Sequence, residues 1–547
     1  MDKRLIDAAM GRAEADLVLK GGIVADVFNG RFIKGDALIK DGYICGVGEY
    51  DCENRVDISG KYILPGLIDA HLHIESSTVT PPQYARAVVP RGVTTVIADP
   101  HEITNVCGEA GLEFMKKSAE GLPLDIKYAL PSCVPAAPFE HSGAALTAAD
   151  TQRLAKDYFA IGEMMNYPAV INGDEEVIAK LVDGMPLDGH APGLSGNELD
   201  AYIDAGIKTD HECGKVSEAL EKLGKGMYIA LREGTLSKDL RRLLPGVNGY
   251  NFRRCMFCTD DRSVAEIIKE GTIDHMIRSA IEFGLDPIMA ICMGSVCAAE
   301  CYGLRDRGAV APGYVADVIV IDDPHKFNVE LVFKNGVKVA ENGAALFEVS
   351  GCDTSSVTDT VHLPKLNADF FARELPDEFT AIELIPDSIV TKRVTAHKND
   401  APAKVCVIER HHNTGCNGFG YVTNYGIKNG AIASSIGHDS HNVAVIGDND
   451  ADMAAAVNAL GKSGGICVVS GGEVKAALEL EVAGLMTDRG AEYAARSHDE
   501  LMRAARSLGV SESVDPFLSL AFLPLPVIPE IRVTDRGLFD VGSFSFI

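Results

Sequence analysis

Positive charge is scarce in this sequence. Lysine and arginine together number 51 against 78 aspartates and glutamates, a formal balance of −27 over 547 residues. A surface this acidic repels a phosphate backbone, and no basic cluster or stripe offsets it. A nucleic-acid polymer is therefore excluded as a partner, while a base or nucleoside as a small substrate is not. Long apolar runs are also missing: no window approaches the roughly 18 apolar residues needed to cross a bilayer. The N-terminal run MDKRLIDAAMGRAEADL lacks the continuous apolar stretch of a secretion signal. The 14 cysteines are scattered, as in a reduced cytosolic enzyme, rather than arranged as a dense disulfide framework. Cys255 and Cys258 form a lone CxxC with no second pair at zinc spacing, which reads as packing beside a strand end. No repeat, low-complexity segment or phosphate-loop pattern occurs. These absences predict a soluble, cytoplasmic protein with no membrane partner.

Core material, by contrast, is ample. Hydrophobic content is 46% and charged content 24%, both globular values, and the length exceeds one ordinary core, so two or three domains are expected. Residues 15–62 read as short strands broken by Gly and Asp-Gly turns, and a matching stretch recurs near 313–343. One β-sandwich built from both flanks, with a large insertion between them, accounts for the pair. The insertion alternates apolar strands (GVTTVIAD, DIKYALPSC, MYIALREGT) with helical segments (GEAGLEFMKKSAE, SVAEIIKEGTIDHMIRSAIEFG). Repeated β-then-α units imply a parallel sheet, and a length near 250 residues is typical of a (β/α)8 barrel with its chemistry on loops after the strands. A doubly wound open sheet is the competitor. The expected fold is thus an α/β chain: a (β/α)8 barrel over 64–310, a small β-sandwich from 1–63 plus 311–350, and a further C-terminal α/β domain over 351–547.

The densest chemical signal is the run ILPGLIDAHLHIES. His71 and His73, at i and i+2 on an extended segment, point to one face and can grip one ion, and neutral imidazole is the commonest metal ligand. Further polar residues close successive apolar strands: Asp99, His101 and Glu102, then Glu163, His190, Asp210, His211 and Glu212, then Arg232 and Glu233, and finally Asp260 and Asp261. Any one of these is most often a cap or a solvated turn. As a series in one barrel-sized stretch they match a pair of divalent ions held by histidines and a bridging carboxylate, with a terminal Asp beside the bound water. Several have plain structural readings: His101 and Glu102 as caps of a helix beginning near Asn105, Arg232 and Glu233 as a surface ion pair, His275 as a helix residue. His438 and His441, in GHDSH, are read as substrate-side or interdomain contacts.

These runs resemble the amidohydrolase superfamily over about 15–345. More narrowly, HLHIESS, TTVIADPHEI, PSCVPAAPFE, GEMMN, DGHAPG, DHE and CTDDR resemble the adenine deaminase family. GFGYVTNYGIKNGAIASSIGHDSHN and LAFLPLPVIPEIRVTDRGL extend that resemblance through the C-terminal domain. The resemblance implies that His71 and His73 take one metal, Glu163 bridges, His190 and His211 take the second, and Asp260 is both ligand and proton shuttle. An Asp or Glu of ADPHE is the alternative bridge. It also implies two divalent ions, Mn2+ or Fe2+ with zinc less favoured, and hydrolysis of adenine to hypoxanthine and ammonia in purine salvage. Glu102 and Glu212 are the candidate catalytic partners of Asp260, and His101 and Glu233 the candidate substrate-binding residues. A homo-oligomer is expected. The competing functions are a cyclic-amide hydrolase, an amino-sugar deacetylase, and a metal-binding scaffold without turnover. GEMMN carries Glu163 where the cyclic-amide enzymes use a modified lysine.

Overall fold

Strand Tyr62–Pro65 pairs antiparallel with Val318–Ile321, so Ile63 faces Val320 across a gap of more than 250 residues. That single pairing explains the insertion. The chain leaves a sheet at Pro65, builds a second body, and returns to the same sheet. The structure, a computed structural model, describes residues 3–386 and 388–547. The seven-stranded sheet containing this pair packs on a four-stranded sheet made by Leu17–Lys20, Asp36–Lys40, Tyr43–Gly48 and Arg55–Asp57. Their facing apolar residues, among them Leu19, Ile39, Ile63, Val318 and Phe333, form one core.

The inserted body holds eight parallel strands: β1 (Leu67–Leu72), β2 (Val93–Ala98), β3 (Asp125–Leu130), β4 (Ala160–Met164), β5 (Leu187–Gly189), β6 (Thr209–Asp210), β7 (Tyr228–Arg232) and β8 (Cys255–Cys258). Strands β1 to β5 form one hydrogen-bonded run and β6 to β8 another. One seam is closed by the parallel bridge between Leu72 and Asp260. At the other, the Gly189 N–H donates to Thr209 Oγ1 at 2.9 Å. The short strands β5 and β6 are where the barrel ladder is weakest. Alternation explains the layout of β1. Ile68, Ala70 and Leu72 join the apolar core, while Asp69, His71 and His73 fall on the other face. Asp69 is consumed structurally, accepting from the Thr259 N–H at 3.0 Å and from Thr259 Oγ1 at 2.6 Å, which locks β8 to β1.

Three local expectations change. SVAEIIKEGTIDHMIRSAIEFG forms two helices, Val264–Glu270 and Ile273–Glu282. Gly271 breaks it at φ +108°, a conformation side-chain-bearing residues resist, and the Asp274 carboxylate accepts the Thr272 N–H at 2.7 Å to start the second helix. The helix after β2 begins at His101, not near Asn105, so His101 and Glu102 sit in its first turn. Cys255 and Cys258 are the first and last residues of β8 and are buried, so the packing expected of them extends over the whole short strand.

The C-terminal region forms an eight-stranded, largely antiparallel sheet whose inner strands are buried on both faces. Alternate residues of one strand separate cleanly: Val405 and Val407 belong to the core shared with Phe517, Ile531 and Val533, whereas Cys406 and Ile408 belong to the core shared with Met453 and Val457 of the helix Asp450–Ala459. Among the described residues no helix is long and apolar enough to cross a membrane.

The sandwich is pinned to the barrel by a charge cluster. Lys334 donates to Asp317 at 2.6 Å and to Asp125 of β3 at 2.7 Å, and Arg307 also bonds Asp125. Lys334 and Asp317 are buried, and removing one member of a buried pair strands the other charge. Lys334→Ala is therefore expected to destabilise the protein by about 3 kcal/mol, read as an earlier urea unfolding midpoint. An unchanged midpoint would show that Arg307 alone neutralises both carboxylates.

Candidate metal centre and active site

Six strand ends deliver their side chains to one point. Glu163, the penultimate residue of β4, is at the centre. Its Oε1 lies 3.2 Å from His73 Nε2 and 3.7 Å from His101 Nδ1, and its Oε2 lies 2.8 Å from His190 Nδ1 and 3.3 Å from His211 Nε2. Asp260 Oδ1 faces the same two β1 imidazoles, 3.5 Å from His71 Nε2 and 3.2 Å from His73 Nε2. Three overlapping groups, His71–His73–Glu163, His71–His211–Asp260 and Glu163–His190–His211, keep their ligand atoms within 4.8 Å of one another. Asp99, the alternative bridge, is used otherwise, as its Oδ2 accepts the Glu163 N–H at 2.9 Å. It positions the central carboxylate without replacing it.

The imidazoles are aimed from behind. His71 Nδ1 donates to Asp188 Oδ2 at 2.6 Å and His73 Nδ1 to the Asp99 carbonyl at 2.8 Å. Both bonds fix the tautomer that leaves Nε2 as an electron-pair donor into the cluster. Asp188 is itself held by Thr209 Oγ1 at 2.6 Å. His71 Nε2 and His101 Nδ1 are buried with no hydrogen-bond partner, an arrangement that native interiors seldom tolerate without a ligand. Burial works against charging His71 and His73. The carboxylates of Asp188, Asp260 and Glu163 nevertheless hold both rings well above the usual imidazole range. An array of inward nitrogens and carboxylates that attracts cations this strongly fits divalent metal ions, whose uptake would displace those protons.

Arg232, at the end of β7, organises the opposite rim. Its guanidinium bonds Glu212, reaches Asp260 Oδ2 at 2.8 Å and Asp239 at 3.2 Å, and is buried. It is not half of a surface pair with Glu233. Arg232 lines the cavity, whereas Glu233 follows the strand end and has one carboxylate oxygen buried without a hydrogen-bond partner. Glu233, expected to bind substrate, is not among the residues brought to this cavity. Glu212 does reach the cavity, 3.9 Å from His190 Nδ1 and 3.8 Å from His211 Nε2.

Glu102 also lines the cavity, yet its carboxylate is fully engaged, accepting from His438 Nδ1 at 2.6 Å and from His441 Nε2. A carboxylate committed twice is a poor proton shuttle, so its expected catalytic role becomes one of holding. His101 stands between the two sets, its Nε2 3.6 Å from Glu102 Oε1 and 3.9 Å from Asp439 Oδ1. The cavity measures about 200 Å³. Its floor is the histidine cluster, and its roof is C-terminal: Val390, His438, Phe522, Leu525, Ile528 and Pro529.

Asp188 and the apolar roof are absent from the expected site, and Arg232 entered it only as one of the strand-end candidates. Asp188 carried a readable signal, standing at i−2 from His190 in LDGH. The roof carried none, since it depends on how two domains meet.

A parallel barrel with histidines and carboxylates converging at its carboxyl strand ends defines a hydrolase of the metal-dependent barrel class. The model of the amidohydrolase family matches residues 62–339, and that of the adenine deaminase C-terminal domain matches 382–545. An adenine deaminase of Nitratidesulfovibrio vulgaris (strain Hildenborough) is 46% identical over 561 residues, covering 99% of this chain and 98% of that protein. One from Clostridium acetobutylicum is 45% identical over 563 residues, covering 99% of each. Among solved structures a D-aminoacylase is similar at a TM-score of 0.47 and 18% identity, over 61% of this chain and 98% of that one. The chain belongs to the amidohydrolase family and, within it, to the adenine deaminases.

Because Asp188 fixes His71 from behind, Asp188→Asn is expected to weaken metal retention by roughly 10- to 100-fold. Metal content after dialysis against a graded chelator series reads this directly. Wild-type retention would remove Asp188 from the site.

Proposed function

We propose that this chain hydrolyses adenine to hypoxanthine and ammonia at the Glu163-centred cluster, as a step of purine salvage. The observation that carries the reading is the joint presence of that cluster and a mostly apolar roof over one cavity. Full-length similarity to adenine deaminases supports the choice of substrate. His71, His73, Glu163 and Asp260 would hold one divalent ion and Glu163, His190 and His211 a second, manganese or iron suiting this mix of imidazole and carboxylate. When bound, such ions lower the pKa of water and so supply a nucleophile near neutrality.

The chain's own residues do the rest. Asp260, clamped by Arg232 at Oδ2, presents Oδ1 to the site and takes the proton that the attacking water gives up. It then passes that proton to the departing amine, so the oxygen–C6 bond forms and ammonia leaves with the C6–N electron pair. Arg232 keeps Asp260 ionised: although burial opposes it, the neighbouring histidines and the guanidinium hold its carboxyl well below the ordinary range. Glu212, its oxygens tied to Arg232, serves as an acceptor for substrate N–H groups at the rim. Phe522, Leu525 and Ile528 cover the cavity and exclude bulk water, which strengthens every charge interaction within. The chain is proposed to act as a homo-oligomer in the cytoplasm.

Three measurements test this reading. Metal-reconstituted protein should release ammonia from adenine and far less from adenosine or cytosine; release from neither adenine nor adenosine would refute it. Asp260→Asn should lower kcat by at least about 10²-fold while the fold persists, and near-normal turnover would remove Asp260 from the mechanism. Chelation should abolish activity and Mn2+ or Fe2+ restore it, whereas full activity of metal-free protein would contradict the site.

A further inference from the structure

The roof of the cavity carries one titratable ring with a free end. His438 follows the C-terminal strand Ala431–Ser434 and is held in place on three sides. Its N–H donates to the Ala521 carbonyl at 2.9 Å, its ring stacks on Phe522 at 4.4 Å and 15°, and its Nδ1 donates to Glu102 Oε1 at 2.6 Å. Glu102 is steadied in turn by His441 Nε2, whose other ring nitrogen accepts the Gly437 N–H at 3.3 Å. Among the described residues no hydrogen bond occupies His438 Nε2. The residue is only 5% exposed and lines the same cavity as His73, Glu163 and Asp260.

We infer that the C-terminal domain completes the active site by supplying His438 as the proton donor to the purine ring, with Glu102 and His441 as positioning residues. The inference rests on the adenine reading above. As the oxygen–C6 bond forms, the electron pair of the C6=N bond moves onto the ring nitrogen, which takes the Nε2 proton of His438. When the C6–amine bond breaks, with Asp260 protonating the leaving ammonia, the C6 hydroxyl becomes a carbonyl and returns its proton to His438. The ring nitrogen keeps the proton it received, and atoms and charge balance to hypoxanthine and ammonia.

The electrostatics agree with the geometry. Burial opposes a charged His438, but Glu102 outweighs it, with Asp261 and Asp439 adding, and the ring is pushed up to about 9. It is therefore a cation at neutral pH. His441 is drawn down to about 4 by burial, which Glu102 only partly offsets, with His438 and Arg410 pressing the same way. The two rings thus divide their labour around one carboxylate, His441 donating as a neutral imidazole and His438 holding a mobile proton. Asp439, the next residue, faces His101 Nε2 at 3.9 Å and is the rival acid.

The test compares metal-reconstituted wild type with His438→Asn, which can still bond Glu102 but has no Nε2. Ammonia release from adenine should fall about 10²- to 10⁴-fold in kcat, with KM within a few-fold, two metal equivalents retained and the circular dichroism unchanged. His438→Gly should regain part of its kcat with added imidazole, which loss of a merely structural contact would not allow. If neither variant folds, Glu102→Gln supplies the readout, with kcat lowered more than KM is raised. Wild-type kcat in His438→Asn, or a large loss in Asp439→Asn with none at His438, overturns the inference. If wild type itself fails on adenine, the functional reading falls and takes this inference with it.

Discussion

One carboxylate sets the rest of this site in place. Glu163 is buried among five imidazoles, His71, His73, His101, His190 and His211, that approach it from four different segments of the barrel. A bare carboxylate in such surroundings is costly unless cations share it, and a cluster of imidazoles is equally costly without anions between them. Each set makes the other tolerable, and divalent ions would satisfy both. The outlying bonds follow from that demand: Asp188 behind His71, the Asp99 carbonyl behind His73, the Asp99 side chain on the Glu163 N–H, and Arg232 behind Asp260. None of these bonds touches a substrate. They hold the inner donors rigid enough to act.

Closure comes from a different part of the chain. The barrel supplies charged groups at its carboxyl strand ends, and segments of the C-terminal region bring apolar side chains over them. Both are needed for one chemistry, because charge interactions gain strength as the local dielectric falls. The paired clusters on the two faces of the C-terminal sheet give the lid a stable platform. Glu102 with His438 and His441 is the polar seam where barrel and lid meet.

How much of this could be read from residue order follows from geometry. The His71–His73 pair was legible because strand alternation has a period of two, and Glu163, His190, His211 and Asp260 because each closes an apolar run. The barrel inserted in a β-sandwich was legible from strand-like stretches on both flanks. Direction at short strand ends was harder. Arg232 and Glu233 are neighbours of equal promise in the sequence, and only the end of β7 decides that Arg232 faces inward. The helical run after β8 looked continuous because Gly271 is a single residue in an otherwise helical pattern. Contacts set by domain docking left little local trace: GHDSH suggested substrate-side or interdomain contacts for its histidines, but not that His441 meets Glu102 across 339 positions of chain. The resemblance of GHDSH to a known family marked those histidines without saying what they touch.

The central claim is that a two-ion cluster around Glu163 performs the hydrolysis. The most direct measurement is a titration of metal-free protein with Mn2+, following ammonia release from adenine against metal bound per chain. The account predicts no activity without metal and a rise that saturates at two equivalents. Full activity at zero equivalents, or saturation with a second ion neither bound nor needed, would contradict it.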